Sequence, residues 1–199
     1  MKKKSVLFIC SMLMLSLNTV CFSQSDETKD RNFRLEVEPG SFVLRGFGVA
    51  ALYNVTEDNN LSAGLHFSML DVPDWTKEMM FDNVSPDSST VRLGFHGALM
   101  MRYRIKVFDQ WESNPYVGLI AGYEYSDIEQ PGYLNSVRLS SFVATPYVGY
   151  EFYFFKQMIY INPQLRSAFY FGSKTSDSTR PEKMGTFLLL PQVSVGLRF

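Results

Sequence analysis

The sequence predicts an all-β protein, a transmembrane antiparallel up-and-down β-barrel of eight strands. The last sixteen residues give the clearest signal, because every second residue from Phe187 to Phe199 is apolar. The residues between them become small or polar toward the end, so one face of this strand is apolar and the other mostly polar. The chain also begins with the pattern of a secretory leader. Mean hydropathy is -0.07, and no later run approaches the ~20 apolar residues of a membrane helix. A barrel combines these features because only alternate residues face lipid.

Residues 1–23 are predicted to form a secretory signal peptide. The stretch begins with Met1 and three lysines and continues with a short apolar segment. It ends in Cys21-Phe22-Ser23, which places small residues at −3 and −1 of a cleavage site. It is too short and wrongly flanked for a membrane-spanning helix. A lipoprotein leader at Cys21 is the weaker alternative, because Val20 stands where a small residue is expected.

Composition excludes several classes of function. Both cysteines, Cys10 and Cys21, lie in or beside the leader, so we expect no disulfide, thiol catalysis or cysteine-based metal site in the mature chain. The formal net charge is -1 and there is no basic run, so nucleic acid is not an expected partner. The mature length suits one domain. It divides into a periplasmic lead-in at residues 24–32 and a β-barrel domain at residues 33–199.

Alternation of apolar and polar residues gives seven strands, and an eighth if the first is separate from the second. Closing an antiparallel barrel with both ends on one side needs an even number, which favours eight. Short connections near Glu57, Gln110 and Lys156 alternate with longer ones, as in this class of barrel. A first outside connection of only Pro39-Gly40-Ser41 does not fit that alternation. The predicted strands are Phe33–Glu38, Phe42–Val55, Leu61–Met69, Val91–Val107, Val117–Tyr125, Phe142–Phe154, Ile159–Phe171 and Met184–Phe199.

The segment Gln192–Phe199 resembles the C-terminal strand of bacterial outer-membrane β-barrels, whose final Phe or Trp is read by the barrel-assembly machinery. With the alternation and the turn around Tyr53-Asn54-Val55, the whole mature chain resembles the small eight-stranded barrels of OmpA/OmpX type. The resemblance implies a monomer in the cell outer membrane, in contact with outer-membrane lipid and lipopolysaccharide, with Phe199 as the assembly signal. We expect no peptidoglycan-binding domain after the barrel, so the resemblance does not imply a tether to the cell wall.

The inward-facing side chains are predicted to fill the lumen, because an eight-stranded barrel is just wide enough for its own side chains. We expect a polar network of ion pairs and tyrosine hydroxyls that plugs it. Cations outnumber acids among its charged members, so a narrow anion-preferring passage is the alternative. These members are Glu36, Arg92, Arg102, Arg104, Glu124, Glu151, Arg166 and Arg198.

Two histidines raise the alternative of catalysis. His66 and Ser68 lie two residues apart on one strand, with His96 on the next, and a His-x-Ser pair resembles that of the outer-membrane lipid A deacylases. There the pair must reach an acyl ester at the lipid-facing surface. Here the alternation turns His66 and Ser68 inward, and no acidic residue neighbours them in sequence. A metal site from the two histidines lacks a clear third ligand. We therefore predict no catalysis, no cofactor and no bound metal.

The outside loops hold the remaining candidates. Asp74-Trp75 and Met79-Met80-Phe81 are clusters that form either an adhesive surface or a cover resting on the barrel rim. The function that we predict is structural or surface-interacting. A narrow passive channel or a carrier of small apolar ligands is the alternative, and an enzyme of lipid A or phospholipid is a further one.

Overall fold

The computed structural model describes residues 32–56, 58–105, 113–155 and 157–199. Arg31–Phe199 forms one compact unit. The predicted signal peptide, residues 24–31 of the lead-in, and the predicted turn residues Glu57, Gln110 and Lys156 lie outside the described residues.

Within the described residues the chain forms ten strands and two short helices. In chain order these are β1 Phe33–Val37, α1 Pro39–Val43, β2 Phe47–Asn54, β3 Leu61–Asp71, α2 Asp74–Met80, β4 Phe81–Asp82, β5 Thr90–Arg104, β6 Ser113–Glu129, β7 Val137–Phe154, β8 Ile159–Thr175, β9 Lys183–Met184 and β10 Phe187–Arg198. Neither of these helices is long and apolar enough to cross a membrane.

Eight of these strands close into an antiparallel barrel in the order β1-β10-β8-β7-β6-β5-β3-β2, while β4 and β9 form a separate two-stranded ladder. β1 pairs with β2 on one side and with β10 on the other, which closes the circle. The predicted fold, with a separate first strand, is confirmed. We call the end of the barrel that carries Phe33 and Phe199 the inner end and the opposite end the outer end.

A band of exposed apolar side chains surrounds the barrel. Leu65, Leu99, Leu119, Leu165 and Val193 all point outward and are exposed, while their neighbours in sequence point inward. Alternate residues of each strand therefore meet two different environments. Water-soluble monomers rarely expose apolar area of this extent. The band is therefore the surface of a barrel that spans a membrane through its strands.

Aromatic side chains mark both margins of this band. At the inner end the rings of Phe33 and Phe199 lie 5.3 Å apart, measured between centroids. Toward the outer end Phe169 and Phe187 make a similar contact at 5.2 Å. Aromatic girdles at both membrane interfaces are typical of transmembrane β-barrels.

The first outer connection differs from the predicted turn. The sequence predicts a turn at Pro39-Gly40-Ser41 and a strand from Phe42, but Pro39–Val43 is helix α1 and β2 begins at Phe47. A proline in the first helical turn favours the start of a helix, and Arg45, with φ of 55°, lies in the left-handed region just after it. The prediction of strand from Phe42 was wrong because one apolar helical turn has the same composition as a strand.

A bulge in β5 turns one predicted lumen residue outward. The register of β5 against β6 shifts between Leu93 and Phe95, so Val91 and Leu93 point into the barrel and Arg92 points out. Arg92 Nε lies 3.9 Å from Asp71 Oδ1 on the exposed surface. The prediction that Arg92 faces the lumen is wrong, because a bulge adds one residue and inverts the alternation beyond it.

Candidate ligand cavity in the barrel lumen

An ion pair between β5 and β1 anchors the inner half of the lumen. Arg102 donates from Nη1 to Glu36 Oε1 at 2.5 Å and from Nη2 to Glu36 Oε2 at 3.0 Å. Tyr160 and Ser194 also donate to the Glu36 carboxylate, at 2.7 and 3.0 Å. All four side chains are buried. The alternation along their strands turns these residues inward, where they satisfy one carboxylate from several sides.

Glu151 on β7 adds a second carboxylate to this pair. Its Oε1 accepts from Arg34 Nη1 at 2.7 Å and from Arg102 Nη1 at 2.8 Å. Its Oε2 accepts from the Tyr153 hydroxyl and lies 3.9 Å from Arg104 Nε. With the carboxylate of the first pair, three guanidinium groups and two carboxylates form one network, which we call the inner plug.

The rings of two tyrosines pack against the inner plug. Tyr116 and Tyr147 meet edge to face with centroids 5.7 Å apart. The Arg102 guanidinium lies 4.5 Å from the centroid of Tyr116, within reach of a cation–π contact. Ions and rings together fill the inner half of the barrel, as expected for eight strands.

The predicted polar network is divided in the structure. Arg102, Arg104 and Glu151 lie in the inner plug with Glu36. Arg198 lies at the inner rim, where its Nη1 is 3.4 Å from Gln157 Oε1.

The other two predicted members, Glu124 and Arg166, lie nearer the outer end. There they form a second cluster with residues that the prediction omitted. Arg34 and Glu38 were not singled out, although the alternation that turns Glu36 inward applies equally to its neighbours two residues away.

Above the inner plug the lumen holds a cavity of about 400 Å³. This volume lies within the range of ~300–1,000 Å³ that is usual for small-molecule sites. Five of the residues that line the cavity, Glu38, His66, His96, Glu124 and Arg166, are joined by ion pairs and a ring contact, and we call this cluster the polar floor. The walls are apolar and include Leu70, Leu93, Ile120, Val143, Ala168 and Leu188. The lumen is therefore closed and polar in its inner half and hollow with apolar walls in its outer half.

Two histidine–glutamate pairs and one arginine form the floor. His66 Nε2 lies 2.9 Å from Glu38 Oε1, which also accepts from Arg166 Nη2 at 2.7 Å. His96 Nδ1 lies 3.0 Å from Glu124 Oε2. The two histidine rings, on the paired strands β3 and β5, meet edge to face with centroids 5.2 Å apart.

The carboxylates define the tautomers of both histidines. A carboxylate only accepts, so His66 Nε2 and His96 Nδ1 carry the protons, and the other nitrogen of each neutral ring is an acceptor. Among the described residues, His66 Nδ1, Glu124 Oε1 and Arg166 Nε are buried without a hydrogen-bond partner. Buried polar groups are normally paired. The floor therefore has unused hydrogen-bonding capacity for a bound polar group.

His66 and Ser68 point into the lumen, as the alternation predicts, and both are buried. They lie away from the lipid-facing surface, where the acyl ester of a membrane lipid would be. The acidic partner of His66 is Glu38, which precedes it by 28 residues and reaches it through the sheet. Within the described ranges, no group of three or more His, Cys, Asp or Glu side chains could hold a metal ion.

Helix α2 and the β4–β9 ladder form a lid over the outer mouth of the barrel. Met80 and Phe81 are buried in an apolar cluster with Met184 and the inward residues of the strands. Trp75 and Met79 are exposed. Of the two alternatives for the predicted loop clusters, Met80 and Phe81 follow the cover on the barrel rim, while Trp75 and Met79 face outward as an exposed surface would.

Polar contacts between three outer loops hold the lid. Arg180 Nη2 and Nε donate to Glu182 Oε1 at 2.5 Å and Oε2 at 3.1 Å. Gln130 Nε2 donates to Glu182 Oε1 at 2.6 Å and to the Asn83 carbonyl at 3.1 Å. Burial would raise the pKa of Glu182, but hydrogen bonds, chiefly from Arg180, outweigh it and lower that pKa.

No family model matches the chain, and no curated protein matches its sequence. Solved structures share its fold. The N-terminal β-barrel domain of OprF from Pseudomonas aeruginosa superposes with a TM-score of 0.51 at 16% identity, covering 85% of this chain and 98% of that one. A major outer membrane protein from Thermus thermophilus superposes with a TM-score of 0.50 at 12% identity, covering 84% and 98%. The resemblance to small outer-membrane barrels is confirmed at the level of the fold.

Proposed function

We propose that the protein is a cell outer-membrane barrel that binds a small apolar molecule in the outer half of its lumen and does not conduct ions. This function corresponds to the carrier of small apolar ligands, one of the alternatives that the sequence left open. The observation that supports it best is the cavity of about 400 Å³ above the inner plug. Among the described residues, the unpartnered atoms His66 Nδ1, Glu124 Oε1 and Arg166 Nε add hydrogen-bonding capacity for a ligand in this cavity.

The outer membrane is the location that fits this barrel. The solved structures that share its fold are, by name, a β-barrel domain and a major outer membrane protein. The exposed apolar band between two aromatic margins has the form of a lipid-facing surface. The inner end, where Phe33 and Phe199 meet, faces the periplasm in this proposal, because short turns lie on that side in this class.

The inner plug is the argument against a channel. Glu36, Arg102 and Glu151 have relative exposures of 1%, 0% and 0%. Opening a path through them means separating a buried ion pair, which costs about 3–5 kcal/mol when one partner is lost. In planar bilayers the wild-type protein is expected to show no steady conductance. A steady open pore would favour the channel over the closed carrier.

Binding is tested by titrating the fluorescent aromatic amine 1-aminoanthracene into the purified protein in lipid vesicles. Ala168 points into the cavity, so the larger side chain of Ala168→Phe takes up part of its volume. We expect a ligand that must share the cavity with this ring to bind about tenfold more weakly, which corresponds to about 1.4 kcal/mol. Ala144 points outward on the neighbouring strand β7, so Ala144→Phe is the matched control. We expect saturable binding to the wild type and to Ala144→Phe. Absence of saturable binding to the wild type, or equal binding to Ala168→Phe, would contradict the proposal.

A further inference from the structure

The β-sheet in the wall of the barrel is interrupted beside the cavity. β1 ends at Val37, which pairs with Val195, whereas β10 extends from there back to Phe187. Along this stretch β10 pairs with β8 on one side and contacts α1 and α2 on the other. Two short helices thus stand where a longer first strand would complete the sheet.

A proline marks this edge of β10. The N–H of Phe199 donates to the carbonyl of Phe33 at 3.0 Å, toward β1. Backbone groups alternate in direction along a strand, so the odd-numbered residues of β10 direct their backbone groups to that same side. Position 191 is one of them, and Pro191 has no N–H to offer. Proline within sheets is confined to edges and bulges. The residue at this position therefore suits an edge that no strand covers.

The cavity opens at the same place. Of the residues that line it, the exposed ones are Pro39 and Gly40 on α1, Trp75 on α2, and Pro191 and Val193 on β10. We call this gap between the helices and β10 the lateral seam. The cavity-lining residues on β5, β6, β7 and β8 are all buried, and the lid covers the mouth between the loops. The opening therefore points sideways, through the wall.

The lateral seam faces lipid. Phe187, at the outer end of β10, belongs to the outer aromatic margin through its contact with Phe169, and Val193 lies further toward the middle of the band. Helix α1 exposes Phe42 and Val43, at 57% and 83%. Apolar side chains on the outside of such a barrel contact the bilayer. The seam thus spans the part of the barrel that the outer leaflet surrounds.

The polar floor restricts the head group of a ligand. With neutral histidines it carries two carboxylates, Glu38 and Glu124, against one guanidinium, Arg166, which disfavours an anionic head. Among the described residues, two acceptors of the floor, His66 Nδ1 and Glu124 Oε1, and one donor, Arg166 Nε, have no partner. An alcohol or an amine can donate to these acceptors. Its apolar part would then lie against the walls above.

We propose that the lateral seam is a portal through which an amphiphile with an alcohol or amine head passes from the outer leaflet into the cavity. This inference rests on the proposed ligand-binding function and adds the route and the chemical class of the ligand.

The chemical class is tested by comparing two probes of the same shape. 1-Aminoanthracene has a donor head, and anthracene-1-carboxylate has a charged head that only accepts. We expect the amine to bind more tightly to the wild type, and 1-dodecanol to displace it better than dodecanoate does. Glu124→Gln removes one negative charge from the floor, so it should narrow the difference between the two probes. Equal or tighter binding of the carboxylate would overturn the assignment of the head group.

The route is tested by stopped-flow measurement of the rates at which 1-aminoanthracene associates with and dissociates from the protein in proteoliposomes. Gly40→Phe and Val193→Phe each add bulk at one side of the seam, and a side chain at Gly40 meets open space. Val117→Phe adds the same bulk to an outward valine on β6, away from the seam.

We expect both seam variants to slow association and dissociation several-fold, and Val117→Phe to match the wild type. Seam variants with wild-type rates would overturn the portal and leave ligand binding in place. Absence of binding in the wild type would overturn both proposals.

Discussion

Arg102 and Glu36 form a bidentate ion pair across the lumen, at 2.5 and 3.0 Å. The two residues belong to β5 and β1, which are separated by β2 and β3 in the order of the barrel. The pair therefore ties the first strand to a distant part of the wall. Its burial makes the pair costly to break, because each ion left alone keeps its desolvation penalty.

Glu36→Gln is expected to destabilise the barrel by about 3–5 kcal/mol, because Arg102 would lose its bidentate partner in a buried site. The free energy of unfolding is measured by urea titration of the protein in lipid vesicles. Glu129→Gln changes an exposed glutamate at the outer end of β6 and serves as the control. Equal stabilities of the two variants would contradict the structural role of the inner plug.

A second prediction concerns the lipid-facing band. Leu119 lies in the exposed apolar band, where arginine costs roughly 2–4 kcal/mol near the middle of a bilayer. Leu134 is fully exposed in an outer loop. Leu134→Arg is therefore the control, since it makes the same substitution at a position that contacts water. Leu119→Arg should lower the free energy of unfolding in vesicles, and Leu134→Arg should not. If both variants were tolerated equally, the outward face would not contact lipid.

A third prediction concerns Phe199, the residue that we expect the barrel-assembly machinery to read. Phe199 exchanges two backbone hydrogen bonds with Phe33, at 2.9 and 3.0 Å, and packs on its ring. Phe199→Asp is expected to reduce the amount of folded, heat-modifiable barrel in the outer membrane. Phe155 is an exposed aromatic residue in an inner turn, and Phe155→Asp provides the control. Normal assembly of the Phe199→Asp variant would contradict the proposal that this residue is an assembly signal.

The lid should loosen in acid. The pKa of Glu182 is lowered in the folded protein, chiefly by Arg180, so its contribution to stability is complete above its unfolded pKa of about 4.3. It is lost as the pH falls through the lower folded pKa. The protection factors of the outer-loop amides, which correct hydrogen exchange for its intrinsic pH dependence, should therefore fall at low pH in the wild type. In Glu182→Gln these protection factors should be lower already at neutral pH, with little further change in acid. The same pH response in both proteins would contradict this role.

The period of two predicted most of the inward residues, and together with the leader and the resemblance of the terminal strand it predicted the barrel. Successive residues of a strand face opposite sides, so Arg102, Glu151 and Ser68 could be assigned to the inward face from the sequence alone. The alternation fails where the backbone adds a residue or leaves the sheet. The bulge beside Gly94 reverses the direction of the Arg92 side chain. The helical turn that begins at Pro39 was predicted to be part of a turn and a strand.

The partners of the inward residues were harder to predict than their direction. His66 meets Glu38, and Arg166 reaches the same carboxylate from a strand 128 residues later in the chain. Such contacts depend on the register and closure of the whole sheet, which no local pattern records. The cavity also depends on β1 ending early, since the lateral seam exists only because two helices replace the rest of that strand.

In our proposal, the outer half of the lumen holds an apolar ligand above the closed inner plug. Nuclear Overhauser effects between 1-aminoanthracene and methyl groups of the protein in lipid nanodiscs test it most directly. We expect contacts from the anthracene ring protons to the cavity methyls of Ile120, Val143 and Leu188, which are buried in the lumen. Contacts confined to the outward methyls of Val117 and Leu165 would place the probe in the surrounding lipid and contradict the claim.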